Sequence, residues 1–256
     1  MNRTKRQKMI MELIKIKDEV NSKELANEFN VSTMTVNRDL NDLASEGKID
    51  LIHGGAIKKE ASLIEKPMSI KELTKINEKK YIGKYCDTII PPSSSVFIEA
   101  GTTTLAAAKE IYHKENCTFF TNSLLIMNAL SQYNGINLHT VPGQYRDLSK
   151  GFIGINTCEY VQHFNFDYCI IGAEGIGMAS GVSLLDKDDA FTKIAVMKQS
   201  KYNILVVDSD KFKESYMYKV GEINDFDYII TDNYVDKTTL DEMKQITNVI
   251  AVDTIE

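Results

Sequence analysis

Residues 22–56, SKELANEFNVSTMTVNRDLNDLASEGKIDLIHGGA, decide how the N-terminal part of this chain folds. Asn21 and Ser22 cap a short helix over Lys23–Phe29 that places Leu25, Ala26 and Phe29 on one side. Asn30-Val31 makes a turn, and Ser32 caps a second helix running to about Ser45. In that helix Val36, Leu40 and Leu43 recur at i, i+4 and i+7 and face a core, leaving Thr33, Met34, Asn37, Arg38 and Asn41 outside. Gly47 ends it, and Lys48–Ile52 alternates into a strand that turns at Gly54-Gly55. Two short helices followed by a hairpin predict a winged helix-turn-helix, whose second helix enters the major groove and reads base edges. A helical hairpin packed for its own sake shares the first half of this pattern. The wing and the polar outer face favour DNA. The candidate contacts are Ser32, Thr33, Met34, Thr35, Asn37, Arg38 and Asn41, with His53, Gly54 and Gly55 at the wing.

Upstream, Lys5 to about Lys17 predicts a first helix with Ile10, Leu13 and Ile14 as its buried stripe, and Val20 is placed to add a short strand beside the wing. The net charge of −6 is unusual for a DNA binder, so its distribution matters more. Of the chain's 30 Lys/Arg and 36 Asp/Glu, 11 and 10 fall in residues 1–60, leaving 19 and 26 beyond. Arg3, Lys5, Arg6 and Lys8 would lie near phosphates if the first helix abuts DNA; the alternative is a solvated tail. No apolar run reaches the length of a membrane span, and the basic N-terminus lacks a signal-peptide core. Cys86, Cys117, Cys158 and Cys169 are scattered without metal-binding spacing. A reduced, cytoplasmic chain with no cofactor and no membrane partner is expected.

Residues 58–77 mix charge with a single proline and read as a linker with some helix in it. The expected division is therefore a DNA-binding domain over 1–57, this linker, and a second domain over 78–256. Helical periodicity returns at Tyr81, Ile82, Tyr85 and Ile89 and stops at Pro91-Pro92. Beyond Ser95, seven apolar runs (96–98, 118–120, 136–141, 168–172, 204–207, 228–230 and 249–252) alternate with helix-like stretches at 105–112, 124–130, 153–164 and 191–201. That alternation predicts an α/β domain with a mainly parallel sheet covered on both faces, binding ligands at the carboxyl ends of its strands. Glu99-Ala-Gly101-Thr102-Thr103-Thr104 stands out there: a strand ends, a glycine turns, three hydroxyls follow and a helix begins. Free N–H groups at such a helix start make a phosphate cradle, though a capped turn without ligand fits the same hexapeptide. Lys193 and Lys211 are candidate cations for it.

Val31-Ser32-x-x-Thr35-Val36-x-Arg38-Asp39-Leu40, followed by His53-Gly54-Gly55-Ala56, resembles the signature of the DeoR family of bacterial sugar-catabolism regulators. The second half resembles the effector domain of that family, similar in fold to ribose-5-phosphate isomerase, through Gly101-Thr102-Thr103, Thr121-Asn122-Ser123, Gly172–Ile176, Asp189…Lys193 and Asp208–Lys211. Asn37 and Leu51 stand where the family tends to carry positive charge, and Glu99 and Glu174 where it more often has aspartate. Near Gly143 the family's second glycine is missing. The resemblance implies an effector site drawn from Glu99, Gly101, Thr102, Thr103, Thr104, Asn122, Gly143, Glu174, Lys193, Asp208 and Lys211.

The expected function is a transcriptional regulator, a repressor of a sugar catabolism operon, that binds operator DNA as a homodimer or homotetramer and answers to a phosphorylated sugar. The phosphate would dock on Gly101–Thr104 and Lys193 or Lys211, with Glu99, Glu174 and Asp208 accepting sugar hydroxyls. The rival from another class is a sugar-phosphate isomerase with an appended DNA-binding head. His113, His139 and His163 fall in helix- or strand-like segments, however, and no isomerase motif is present. A head that no longer binds DNA is the third reading, resting on Asn37 and Leu51.

Overall fold

A computed structural model describes residues 3–254 apart from 18, 46, 47, 53, 59–64 and 66. Gly47 and His53, to which the sequence assigns a helix end and a wing contact, lie outside the described residues, as does 59–64 of the expected linker. The chain divides into two compact units, Met1–Leu63 and Ile64–Glu256.

The first unit runs α1 (Arg3–Lys17), β1 (Glu19–Asn21), α2 (Ser22–Phe29), α3 (Thr33–Ser45), β2 (Ile49–Ile52) and β3 (Gly55–Lys58). The Asn21 side chain accepts the Lys23 N–H at 2.9 Å and so caps α2. Asn30 takes the left-handed conformation at φ 52° and its N–H reaches the carbonyls of Ala26 and Asn27, which turns the chain towards α3. Strands β1, β3 and β2 form an antiparallel sheet, so Val20 does join the wing. Gly55 is required there, because a Cβ would collide with the Val20 carbonyl. Ile10, Ile14, Leu25, Phe29, Val36, Leu40, Leu43 and Ile49 close one core.

One expectation changes. Arg6 is buried and pairs with Asp39, which is 1% exposed, while Arg3 pairs with Asp42. Asp39 lies on the inward side of α3, so the guanidinium of Arg6 points into the unit and ties α1 to α3. Removing one partner of a buried pair leaves an uncompensated charge. Asp39→Ala should therefore destabilise the first unit by about 3–5 kcal/mol in urea unfolding, with Arg6→Met/Asp39→Leu restoring much of the loss. A loss under about 0.5 kcal/mol would mean that the pair is solvated.

In the second unit α4 (Met68–Leu73) and α5 (Ile76–Ile89) lead into β4 (Ser95–Ile98), α6 (Thr102–Ile111), β5 (Thr118–Thr121), α7 (Leu124–Leu130) and β6 (Asn137–Thr140). A hairpin of β7 (Gln144–Arg146) and β8 (Gly151–Ile153) precedes α8 (Ile155–Val161) and β9 (Phe166–Ile171). Next come β10 (Gly175–Gly177), β11 (Gly181–Leu184), α9 (Lys187–Lys198) and β12 (Ser200–Val206). The chain closes with β13 (Tyr218–Gly221), β14 (Tyr228–Asp232), α10 (Lys237–Lys244) and β15 (Asn248–Val252).

Each of the seven apolar runs overlaps one strand of a seven-stranded parallel sheet ordered β15-β14-β12-β9-β4-β5-β6, with 136–141, 168–172 and 204–207 reaching a residue past the strand. Alternate residues serve opposite faces: Val96 and Ile98 enter a core with α5, α6 and α7, and Phe97 one with α8, α9 and α10. Gly83 on α5 lets that helix approach α6, since a Cβ would come within 2.7 Å of the Ala106 carbonyl. The sequence did not announce the hairpin β7–β8 or the small sheet β10-β11-β13, whose short strands carry no continuous apolar run. Ile153 accordingly ends a strand, and the helix expected over 153–164 is α8. Of the stretch read as linker, Met68–Leu73 is a helix of the second unit and Ile76 already opens α5.

Candidate functional site

The chain enters the sheet at β4, builds outward through β5 and β6, then returns to β9 and builds the other way. The loops after β4 and β9 therefore diverge, and a crevice opens where open α/β sheets hold ligands. A cleft lies at this point. Gly101–Thr104 after β4, Gly172–Glu174 after β9 and Val207, Asp208 and Lys211 after β12 line it.

Gly101 precedes α6, and the first bond of the helix runs from the Leu105 N–H to the Gly101 carbonyl at 3.0 Å. The N–H groups of Thr102, Thr103 and Thr104 precede that ladder and stand at the positive end of the helix. Lys211 has no ion pair among the described residues and lines the same cleft. Asp208 caps the short 3₁₀ turn over Ser209–Lys213 by accepting the Asp210 N–H at 3.1 Å.

Of the residues expected from sequence, Gly101, Thr102, Thr103, Thr104, Glu174, Lys193, Asp208 and Lys211 line the cleft together. Glu99, Asn122 and Gly143 do not. Glu99 is 0% exposed and lies 2.5 Å from the Lys193 ammonium, itself 2% exposed, with Asp189 3.5 Å away. Burial pushes the Glu99 carboxyl up against the pull of Lys193, while the charges of Asp189 and Glu99 hold Lys193 above its ordinary value in spite of burial. The pair is thus a neutralised unit under the floor. The buried Asn122 accepts the Ala100 N–H at 3.1 Å and donates to the Phe152 carbonyl at 3.0 Å, so it shapes the loop after β4. Gly143 packs on Thr157 and Ile153, with no room for a Cβ.

Sequence reasoning missed Glu65, Lys71, Lys79, Ser149 and Asp189, which also line the cleft. Lys79 is buried on α5 and donates to the carbonyls of Lys71 and, at 2.8 Å, Thr74. Burial first of all, with the charges of Lys211 and Lys71 against that of Asp208, brings Lys79 down to about 8. A lysine on the apolar stripe Lys79, Ile82, Cys86 was the available signal, since a charge on a buried face needs a reason.

In the first unit Thr33, Met34, Asn37, Arg38 and Asn41 are exposed along one side of α3, Met34 at 74%. Arg38 has no ion pair among the described residues. Ser32 and Thr35 are engaged with each other at 2.9 Å, and the Ser32 hydroxyl accepts the Thr35 N–H. At the wing Gly54 is exposed, whereas Gly55 is buried against β1.

These environments separate two lysines of one cleft. Lys193→Met strands Glu99 and Asp189 and should cost about 3–5 kcal/mol in denaturant unfolding of the second unit. Lys211→Met should stay within about 0.5 kcal/mol. Equal losses would contradict the distinction.

The DeoR-like helix-turn-helix domain matches residues 6–61, and the DeoR C terminal sensor domain matches residues 74–233. The glycerol-3-phosphate regulon repressor of Escherichia coli (strain K12) is 33% identical over 232 residues, spanning 91% of this chain and 92% of that protein. The lactose phosphotransferase system repressor of Lactococcus lactis subsp. lactis is 28% identical over 256 residues, covering 99% and 100%. Among solved structures, ribose 5-phosphate isomerase from Plasmodium falciparum aligns over 54% of this chain and 52% of its own. Its TM-score of 0.39 and identity of 15% are too low to bear on the chemistry. No helix among the described residues is long and apolar enough to cross a membrane. With a DeoR-like head, a DeoR sensor domain and a repressor aligned along nearly its whole length, the chain belongs to the DeoR family of transcriptional regulators.

Proposed function

We propose that the protein is a cytoplasmic repressor that binds operator DNA through α3 and the wing, and that a phosphorylated sugar or polyol in the cleft controls it. The observation that carries the ligand reading is the start of α6. Three N–H groups and three threonines meet Lys211, without an ion pair among the described residues, and the buried Lys79 at the point where the sheet reverses. A phosphate there gains N–H bonds, the helix dipole and two ammonium groups. Glu174 and Asp208 are placed to accept hydroxyls. Lys193 beneath is balanced by Glu99 and Asp189 and leaves the phosphate to the other two lysines. Relatives named as repressors of glycerol-3-phosphate and lactose systems favour sensing over turnover.

For DNA, the exposed Arg38, Asn37, Asn41, Thr33 and Met34 form the reading face of α3, with Gly54 following at the wing. Two heads on a homodimer or homotetramer match the two half-sites of an operator. Ligand and DNA then weaken each other by the same factor, on the order of 1–3 kcal/mol.

A salt-controlled DNA selection with the purified protein tests the reading. One enriched motif is expected, lost or weakened with glycerol 3-phosphate, ribose 5-phosphate or fructose 6-phosphate present. No enrichment at low salt would refute it. On the selected motif Arg38→Ala should weaken binding about tenfold or more, and should flatten the salt dependence if the contact is to phosphate. Unchanged binding would remove Arg38 from the contacts.

Ligand affinity should also depend on pH in a defined direction. A bound phosphate dianion favours charged Lys79 and raises its pKa above the free value of about 8. Affinity by calorimetry should therefore be highest near pH 7 and fall as pH rises through about 8, while Lys79→Met loses that dependence. A flat profile in the unaltered protein would place the phosphate away from Lys79.

A further inference from the structure

Four charged side chains join end to end at the cleft. Arg146 on β7 bonds Glu65, and the Lys71 ammonium on α4 lies 2.8 Å from the other Glu65 oxygen and also bonds Oε1 of Glu174. Arg146 is itself fixed by Asp186 at 3.2 Å. The chain is shielded from water, with the Glu65 and Glu174 side chains 7% and 11% exposed. Burial pushes Glu174 up against the charge of Lys71, whereas Glu65 is held down to about 2, with the Arg146 bond and the Lys71 charge overcoming its own burial.

One atom of this network is left over. Oε2 of Glu174 is buried with no hydrogen-bond partner among the described residues, in a residue 9% exposed that lines the cleft. A buried acceptor without a donor is costly, and a ligand hydroxyl would supply the missing bond. Glu65 and Lys71 also lie just beyond the boundary at Leu63 and Ile64, on the stretch that covalently continues the DNA-binding head.

We propose that this connecting segment is part of the ligand site: Lys71 orients the Glu174 carboxylate so that Oε2 takes a ligand hydroxyl, and occupancy is read as a tightening of residues 67–74. The proposal rests on the cleft holding a phosphorylated polyol and adds what that ligand must carry, a donor hydroxyl beside its phosphate. Lys71 is a positioning residue, acting on the ligand through Glu174. Lys79 strengthens the same link, since its ammonium holds the carbonyls of Lys71 and Thr74 beside the phosphate cradle. A ligand that engages both ends of the cleft fastens α4 from Lys71 and from Lys79.

The test is amide hydrogen exchange with and without the tightest binder among glycerol 3-phosphate, ribose 5-phosphate and fructose 6-phosphate, with affinity measured by calorimetry. In the unaltered protein the ligand should slow exchange across 68–74. Lys71→Met should lower ligand affinity about tenfold, the worth of one hydrogen bond to a charged group, and should abolish the slowing. Lys71→Arg should restore part of both. Unaltered exchange in β4 and β9 shows that the variants fold, and Glu65→Gln provides a milder change with the same expected direction. If Lys71→Met binds with full affinity and keeps the ligand-induced slowing, the proposal is overturned while the sensor reading stands. If no compound of the panel binds, both fall.

Discussion

A parallel sheet that begins in its own middle must leave a crevice, and that constraint governs the second unit. Because β4 is laid down first and neighbours are added on one side before the other, the loops after β4 and β9 separate above the sheet. What fills the floor of that crevice is a lysine, Lys193, held between Glu99 and Asp189 out of reach of water. The buried charge joins the end of β4 to α9 across the reversal and leaves the cleft surface to other groups. Among the described residues, the cleft cations that remain available to an anion are then Lys211 and Lys79, one without an ion pair and one resting on carbonyls.

Buried charge also organises the first unit, by the same logic and with the opposite consequence for its surface. Asp39 on α3 takes Arg6 inward, while its neighbour Arg38 faces outward. Adjacent positions on one helix thus divide between holding the fold and facing outward. Family motifs fuse the two jobs into one string, Arg38-Asp39-Leu40, although only the arginine faces out and the leucine lies in the core.

Much of this was legible in sequence because it is periodic. The three helices of the head follow from the spacing of their apolar residues, and the seven strands of the large sheet from short apolar runs that alternate with helix-like stretches. The cleft loop was legible because Gly101 and three threonines follow a strand end. What escaped was long-range or too short. Glu65 and Lys71 meet Arg146 and Glu174 across 81 and 103 positions, a pairing no local window contains. The stretch carrying them has mixed charge and a proline, which reads as a linker until its partners are known. Likewise Glu99 looked like a ligand contact because it sits at a strand end and Lys193 because it is a cation on a helix near the cleft, and only the fold shows that they face each other.

The central claim is that a phosphate sits on the first turn of α6 with hydroxyls directed to Glu174. A crystal structure of the chain with its tightest-binding phosphorylated compound tests this most directly. The phosphate oxygens should lie within hydrogen-bond distance of the N–H groups of Thr102–Thr104 and of the Lys79 or Lys211 ammonium, with a ligand hydroxyl on Glu174. Density for the phosphate elsewhere in the chain, with the start of α6 left to solvent, would contradict the account.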